Sequence, residues 1–338
     1  RAVSAVGAAL AVSASIGVSS AAETQVRPQT VRLSFTAHTA TDNPVTIWAM
    51  EFAKTVAQKS NNTILIDVHA NSKLVSQDGA LAALTSDQVN MGQLGLTQLP
   101  QTPELVGLQH VNDPFVSPTW EEAIALAQSA ELRKIFNEEL KPMGLRVLAM
   151  CAQGYTSFLS QTPIRNVADF KGLRVRVASS ESSGLLQALG AEPVSISLGS
   201  TYKALQDKTV TVAKTNIGNF YSLKWYQFAK YLDFIPLNQA ILPIMINVKS
   251  YDRLSKSQQE ILESVAVSTM LSCHQAAWAN EAEYIKRMEQ EGVTVVTPDS
   301  LEPFKQASAP DVAHNKATPV GARIARIVDA INKQIGKK

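Results

Sequence analysis

The sequence has little of what enzymes and metal proteins usually display. Cysteine occurs only at Cys151 and Cys273, and no C-x-x-C pair exists, so neither a zinc site nor a dithiol redox centre is signalled. The histidines (His38, His69, His110, His274 and His314) are scattered without ligand spacing, and His274 falls inside a helical pattern where a structural role is the simplest reading. There is no G-x-S-x-G elbow, H-E-x-x-H helix, P-loop or G-x-G-x-x-G turn. No catalytic residue, metal ligand or cofactor is therefore expected. Charge of one sign is missing too: 31 basic residues stand against 29 acidic ones, in no block, which points away from nucleic acid and acidic membranes as partners.

What is present suits a chain that buries a large core. It has 338 residues, 45% hydrophobic and 18% charged, which predicts two lobes or domains. The N-terminus stands apart. Arg1 precedes a short Ala- and Val-rich stretch that ends in small residues at Ala21 and Ala22. This is the pattern of a secretory signal peptide over residues 1–22, too weakly apolar for a membrane span. Lacking an initiating Met, the chain reads as part of a longer precursor, and the protein as exported. An oxidising compartment permits a bond between Cys151 and Cys273, but the expectation here is two buried free thiols.

Along the chain, strands and helices alternate. Residues 31–35 form an alternating strand, and the helix that follows puts Trp48, Phe52, Ala53 and Val56 on one face. A second strand covers 63–68, a helix 79–86 and a short strand 89–93, a β-α-β-α-β run that implies parallel pairing. Helices are predicted over 119–126 and 130–140, then a strand from 145, with 154–159 crossing toward a second lobe. Residues 241–248 read as a buried central strand. From Ser255 to Gln290 there is neither Pro nor Gly, and apolar residues recur at helical spacing. Such a helix is about 45 Å or longer and could brace both lobes. A strand at 293–296 and an amphipathic helix over 319–335 end the pattern.

The segment Leu173-Arg174-Val175-Arg176-Val177 has the alternation of a half-buried strand, and serines (Ser179, Ser180, Ser182, Ser183) and an apolar helix follow it. Ligands of open α/β sheets sit at the carboxyl ends of strands, so Arg176 is better placed than Arg174 to meet an anion. A guanidinium fork binds a carboxylate through two parallel bonds. By alternation alone, both arginines facing solvent or an acidic neighbour fits equally well. His38 lies in the first strand–helix loop, where a cleft residue would be. The loops 36–43 and 93–98, the latter beginning at Gln93, are candidates for the opposite wall.

Several stretches together resemble the solute-binding P subunits of the tripartite ATP-independent periplasmic (TRAP) transporters. They are Asp169-Phe170-Lys171-Gly172-Leu173-Arg174-Val175-Arg176-Val177, Leu189-Gly190-Ala191-Glu192-Pro193-Val194, Tyr202-Lys203-Ala204-Leu205-Gln206, the aromatic run Tyr221 to Tyr226, and Tyr251-Asp252-Arg253-Leu254-Ser255. The resemblance implies an α/β, two-lobed periplasmic-binding-protein-like fold with a long helix spanning both lobes. Lobe 1 would comprise 23–152 plus 241–280, and lobe 2 153–240 plus 281–338. It implies a periplasmic monomer that closes on a small organic acid and serves integral membrane TRAP permease subunits. An exported enzyme acting on organic acids, or a ligand-presenting sensor subunit, is the alternative.

Matched position by position, the ligand carboxylate falls to Arg176, with Ser179 and Thr215 completing the site and Thr156 standing where many members carry another arginine. Where many members have Asp-Gly-Gln-Glu-Asn-Pro, this chain has Thr211-Val212-Ala213-Lys214-Thr215-Asn216. Lys214 in place of an acid would make the cleft more positive and support a second acidic group on the ligand, if it faces inward. Asn216 and Asn219 are further candidates, since amides both donate and accept. Trp225 and Tyr226 could wall the pocket but fit core positions better.

Overall fold

Period-two segments from both ends of the chain pair into one mixed sheet. The computed structural model describes residues 1–2, 30–179 and 183–336. The expected signal peptide, apart from its first two residues, lies outside them, as do Ser180 and Ser182. Two parallel triplets form the sheet's flanks. One is β1 (Val31–Thr36) between β2 (Ile64–His69) and β3 (Met91–Gln93); the other is β5 (Arg174–Val177) between β7 (Val212–Asn216) and β6 (Glu192–Ser195). Two long antiparallel strands join the flanks, β4 (Leu145–Ser160) and β8 (Tyr231–Asn247), and β9 (Thr294–Val296) adds beside β8. Their pairing runs from Leu145 opposite Asn247 to Ser160 opposite Tyr231, with register shifts, one of them between Ala152 and Tyr155. That shift holds Gly154 at φ 106°, a conformation side chains resist. The fold therefore divides there into two lobes linked by paired strands.

Helices cover both faces of the first lobe. On one side α1 (Pro44–Lys59) packs Trp48 and Phe52 against Leu33 and Phe35 of β1. It is capped by Asn43, whose side chain accepts from the Val45 N–H at 3.0 Å, and Pro44 sits where no intrahelical donor is needed. The other side carries α2 (Ala80–Thr85), α3 (Trp120–Gln128) and α4 (Ala130–Leu140), with Leu84, Leu126 and Phe136 in one cluster. In the second lobe α5 (Gly184–Ala188), α6 (Leu198–Gln206) and α7 (Ile217–Ser222) bury Leu186, Leu205 and Phe220. After β8, α8 (Val248–Asp252) turns the chain into α9 (Lys256–Gln290).

The 35-residue α9 is continuous, as its lack of Pro and Gly predicts, and Ser255 and Gln258 start it with a capping box. Leu262 and Met270 pack in the first lobe, Ala277 lies near the crossing strands, and Met288 packs in the second lobe. It thus braces both. Toward the C-terminus the expected strand and final helix are present, with one unexpected helix between them. Helix α10 (Glu302–Ala317) carries Pro310 inside it, so the sequence shows no clean helical run there. Its Phe304 packs in the second lobe, but α11 (Pro319–Ile335) buries Val320, Ile324 and Val328 with Leu126 and Phe136 in the first. The segment 281–338 is therefore shared between lobes. An amphipathic stripe says that a helix packs, not against which half of a sheet.

The cysteines correct another expectation. Cys151 on β4 and Cys273 on α9 form a disulfide, with Cα atoms 6.3 Å apart, instead of two free thiols. Packing of α9 across the sheet brings together residues 122 positions apart, a juxtaposition that spacing alone does not disclose.

Candidate functional site

A cavity of about 520 Å³ lies between the lobes at the carboxyl ends of β1, β3, β5 and β7. Every sequence-predicted site residue lines it: Arg176, Ser179, Thr156, Lys214, Thr215, Asn216, Asn219, His38 and Gln93.

Arg176 sits near the end of β5, flanked by β6 and β7, and is 1% exposed. Its Nε donates to the Ile196 carbonyl at 2.7 Å and Nη1 to the Lys214 carbonyl at 3.3 Å. The guanidinium lies 5.4 Å from the centre of the Trp225 ring. Nη2 is buried and has no partner among the described residues. Burial pulls the pKa down to about 9, opposed by the charge of Asp78, so the group stays a cation at neutral pH. Two of the three nitrogens are thus used to aim the fork, and the third is left for something in the cavity. Arg174, two residues back, is exposed and faces Glu192 at 3.6 Å. Trp225 and Tyr226 belong to the core, Trp225 as the floor under Arg176 rather than a cavity wall.

The next strand supplies a donor–acceptor ladder. Asn216 caps α7 by accepting from the Asn219 N–H at 3.1 Å, and Asn219 Nδ2 donates to Thr215 Oγ1 at 3.0 Å. Thr156 lies opposite Asn216 on β4. Lys214 lines the cavity. Burial pulls its pKa down, and the carboxylates of Asp311 and Asp113 pull it back up. Ser179 contributes its carbonyl to the Ser183 hydroxyl at 3.1 Å.

The first lobe closes the other side. His38 is buried, and loss of solvation lowers its pKa to about 4, so the ring is neutral at pH 7; its Nδ1 has no partner among the described residues. The Gln93 side-chain oxygen accepts from the backbone N–H groups of His38 at 3.0 Å and Thr39 at 3.1 Å, which fixes the loop after β1. Hydrogen bonds cross between the lobes: Asn43 Nδ2 to Asn219 Oδ1 at 3.3 Å, and the Leu198 N–H to Gln77 Oε1 at 2.9 Å. The lobes are therefore latched beside the cavity.

Sequence reasoning missed part of the lining. Gln77, Asp113, Gln153, Asn238 and Asp311 also reach the cavity. They are isolated polar residues in segments with no motif. The one usable signal was polarity inside an otherwise apolar strand, at Gln153 on β4 and Asn238 on β8. Chemically the site offers an unsatisfied guanidinium, an ammonium, two carboxylates, two imidazoles and many amides, with no hydrogen-bonded nucleophile–base pair among the described residues.

The family model described as bacterial extracellular solute-binding protein, family 7 matches residues 35–317. The chain is similar to the sialic acid-binding periplasmic protein SiaP of Vibrio cholerae, 25% identical over 287 residues, covering 82% of this chain and 87% of that one. It is also similar to the ectoine/5-hydroxyectoine-binding periplasmic protein UehA of Ruegeria pomeroyi, 25% identical over 314 residues and 88% of each chain. Among solved structures, a TRAP periplasmic solute binding protein from a Bradyrhizobium species, in complex with galacturonate, superposes with a TM-score of 0.83 at 23% identity, covering 88% of this chain and 100% of that one.

Proposed function

The chain belongs to the bacterial extracellular solute-binding proteins of family 7, and from that premise we propose that it captures a small organic acid in the interlobe cavity, with Arg176 holding the carboxylate. One observation carries this reading: a buried guanidinium with a free nitrogen at the cavity wall. An unpaired buried cation is costly, and a carboxylate placed against it relieves that cost with charge-assisted bonds. The polar relatives are consistent in kind, since SiaP is named for sialic acid, and the Bradyrhizobium protein holds a uronate.

Ser179, Thr215, Asn216, Asn219 and Thr156 surround the acid from the second lobe, and His38 and Gln93 meet it from the first. Closure proceeds about the crossing strands near Gly154, with α9 as the brace. A ligand favours the closed form by as much as it binds that form better than the open one. The protein works outside the cytoplasm, as a monomer, and hands its ligand to integral membrane TRAP permease subunits without transforming it.

Calorimetry on Arg176→Ala tests the anchor. Removing one partner of a buried charge pair costs about 3–5 kcal/mol, or two to four orders of magnitude in Kd. Arg176→Lys should recover only part of this, because an ammonium cannot form the fork. Near wild-type affinity in the alanine variant would remove the anchor assignment, and recovery of a chemically altered ligand after incubation would replace the carrier with an enzyme.

A further inference from the structure

The cavity holds three charged groups that the anchor at Arg176 does not use, two of them without a polar partner among the described residues. Lys214 lines it from β7, and among the described residues its ammonium has neither a hydrogen bond nor an ion pair. Asp311 lines it from α10. Its carboxylate is packed so closely on Gly184 that a Cβ there would lie 2.2 Å from Oδ1, and it too has no hydrogen bond or ion pair. A third charge, Asp113, is already committed: Oδ2 meets His110 Nδ1 at 2.8 Å and Oδ1 accepts from Asn315 Nδ2 at 2.7 Å. The open donor of Lys214 and the open acceptor of Asp311 line the same cavity, and the hydrogen-bonded Asp113 carboxyl lines it with them.

Resting on the carboxylate anchor just described, we infer that Lys214 and Asp311 form a second subsite that takes a hydroxyl-bearing, uncharged part of the ligand and rejects a second carboxylate. A hydroxyl accepts from the ammonium and donates to the carboxylate, so it satisfies both groups at once. A second carboxylate would gain Lys214 but face Asp311 and Asp113 between the lobes, where like charges repel more strongly than in bulk water. A bare alkyl chain would leave both groups desolvated and unpaired. The sequence suggested that Lys214 makes room for a second acid; the two aspartates around it turn that argument around. Gly184 matters here because any side chain at that position would displace the Asp311 carboxylate.

The test compares matched acids that differ at one terminal carbon: D-gluconate with D-glucarate, D-galactonate with galactarate, and D-xylonate with xylarate, with hexanoate as the unhydroxylated control. Binding is read by calorimetry, and any ligand carried through purification is identified by mass spectrometry. For whichever pair binds, the monoacid should bind about tenfold or more tightly than the diacid. Asp311→Asn should shrink that ratio to about threefold, and Lys214→Met should weaken the monoacid by about tenfold. A diacid equal to or tighter than its monoacid, tight hexanoate binding, an unchanged ratio in Asp311→Asn, or a co-purified diacid overturns this subsite and leaves the anchor intact. A co-purified hydroxylated monoacid supports both. Failure of every acid to bind, with no co-purified carboxylate, overturns the anchor and the subsite together.

Discussion

Arg176 is an expensive residue to bury, and its surroundings show how that cost is limited. Backbone carbonyls from two neighbouring segments take Nε and Nη1, and an aromatic face lies beneath the plane. The Trp225 ring does two jobs: it fills the core and places the cation without adding a competing anion. Replacing it by leucine should cost about 3 kcal/mol of stability, as for other large buried aromatics, seen as a lower urea midpoint. The same variant should weaken acid binding by about tenfold, because the fork loses its floor. Loss of stability with unchanged affinity would mean that Trp225 is only a core residue. The residue scale is also where the sequence was most legible. Arg176 was marked by strand alternation and by its place near a strand end, and the resemblance separated it from Arg174. Nothing comparable marked Asp311 or Gln77, because their place on the cavity wall comes from the packing of distant segments, not from their neighbours in the chain.

At the level of elements, the strands and helices with a clean period were readable, and those carrying an exception were not. Helix α9 announced itself by 35 positions without Pro or Gly. The first half of β8 did not, since Pro236 and the buried Asp233 and Asn238 interrupt its apolar pattern. Those departures have reasons. Asp233 Oδ1 accepts from the Ile164 N–H at 2.8 Å, and Asn238 lines the cavity. The disulfide belongs to this scale as well, because it ties α9 to β4 within the first lobe, one residue before Ala152 and the register shift that marks the lobe boundary. By closing a loop of over a hundred residues, such a bond stabilises the fold by about 2–4 kcal/mol. The double variant Cys151→Ala, Cys273→Ala should therefore melt several degrees lower. Both cysteines lie on one side of the boundary, so ligand affinity measured well below that melting point should stay within about twofold of wild type. A large affinity loss there would show that the bond sets the hinge as well as the stability.

For the whole molecule, two pairs of buried titratable groups act against each other. Burial raises the pKa of Glu281, which accepts from the Tyr155 N–H at 2.7 Å beside the crossing point, to about 7, and burial likewise raises that of Asp233 to about 7. Between the ordinary carboxylate range and pH 7 the folded protein holds these protons and the unfolded chain does not, so their contribution falls as pH rises. Burial lowers His38 and His274 to about 4. Between pH 4 and 6.5 the unfolded chain holds those protons and the folded protein does not, so their contribution rises with pH. Two groups of each kind nearly cancel from about pH 4.5 to 6.5, and the expected result is a flat stability profile there, declining slightly toward pH 7. Removing the acids with Asp233→Asn and Glu281→Gln leaves the histidines unopposed, and stability should then climb by about 2–3 kcal/mol per pH unit across that window. Removing His274 alone, as His274→Gln, should tilt the profile the other way. Urea midpoints at half-unit pH steps read all three profiles. A double variant as flat as the wild type would mean that these carboxyls do not keep their protons in the folded protein, and that the pH tolerance of the fold arises elsewhere.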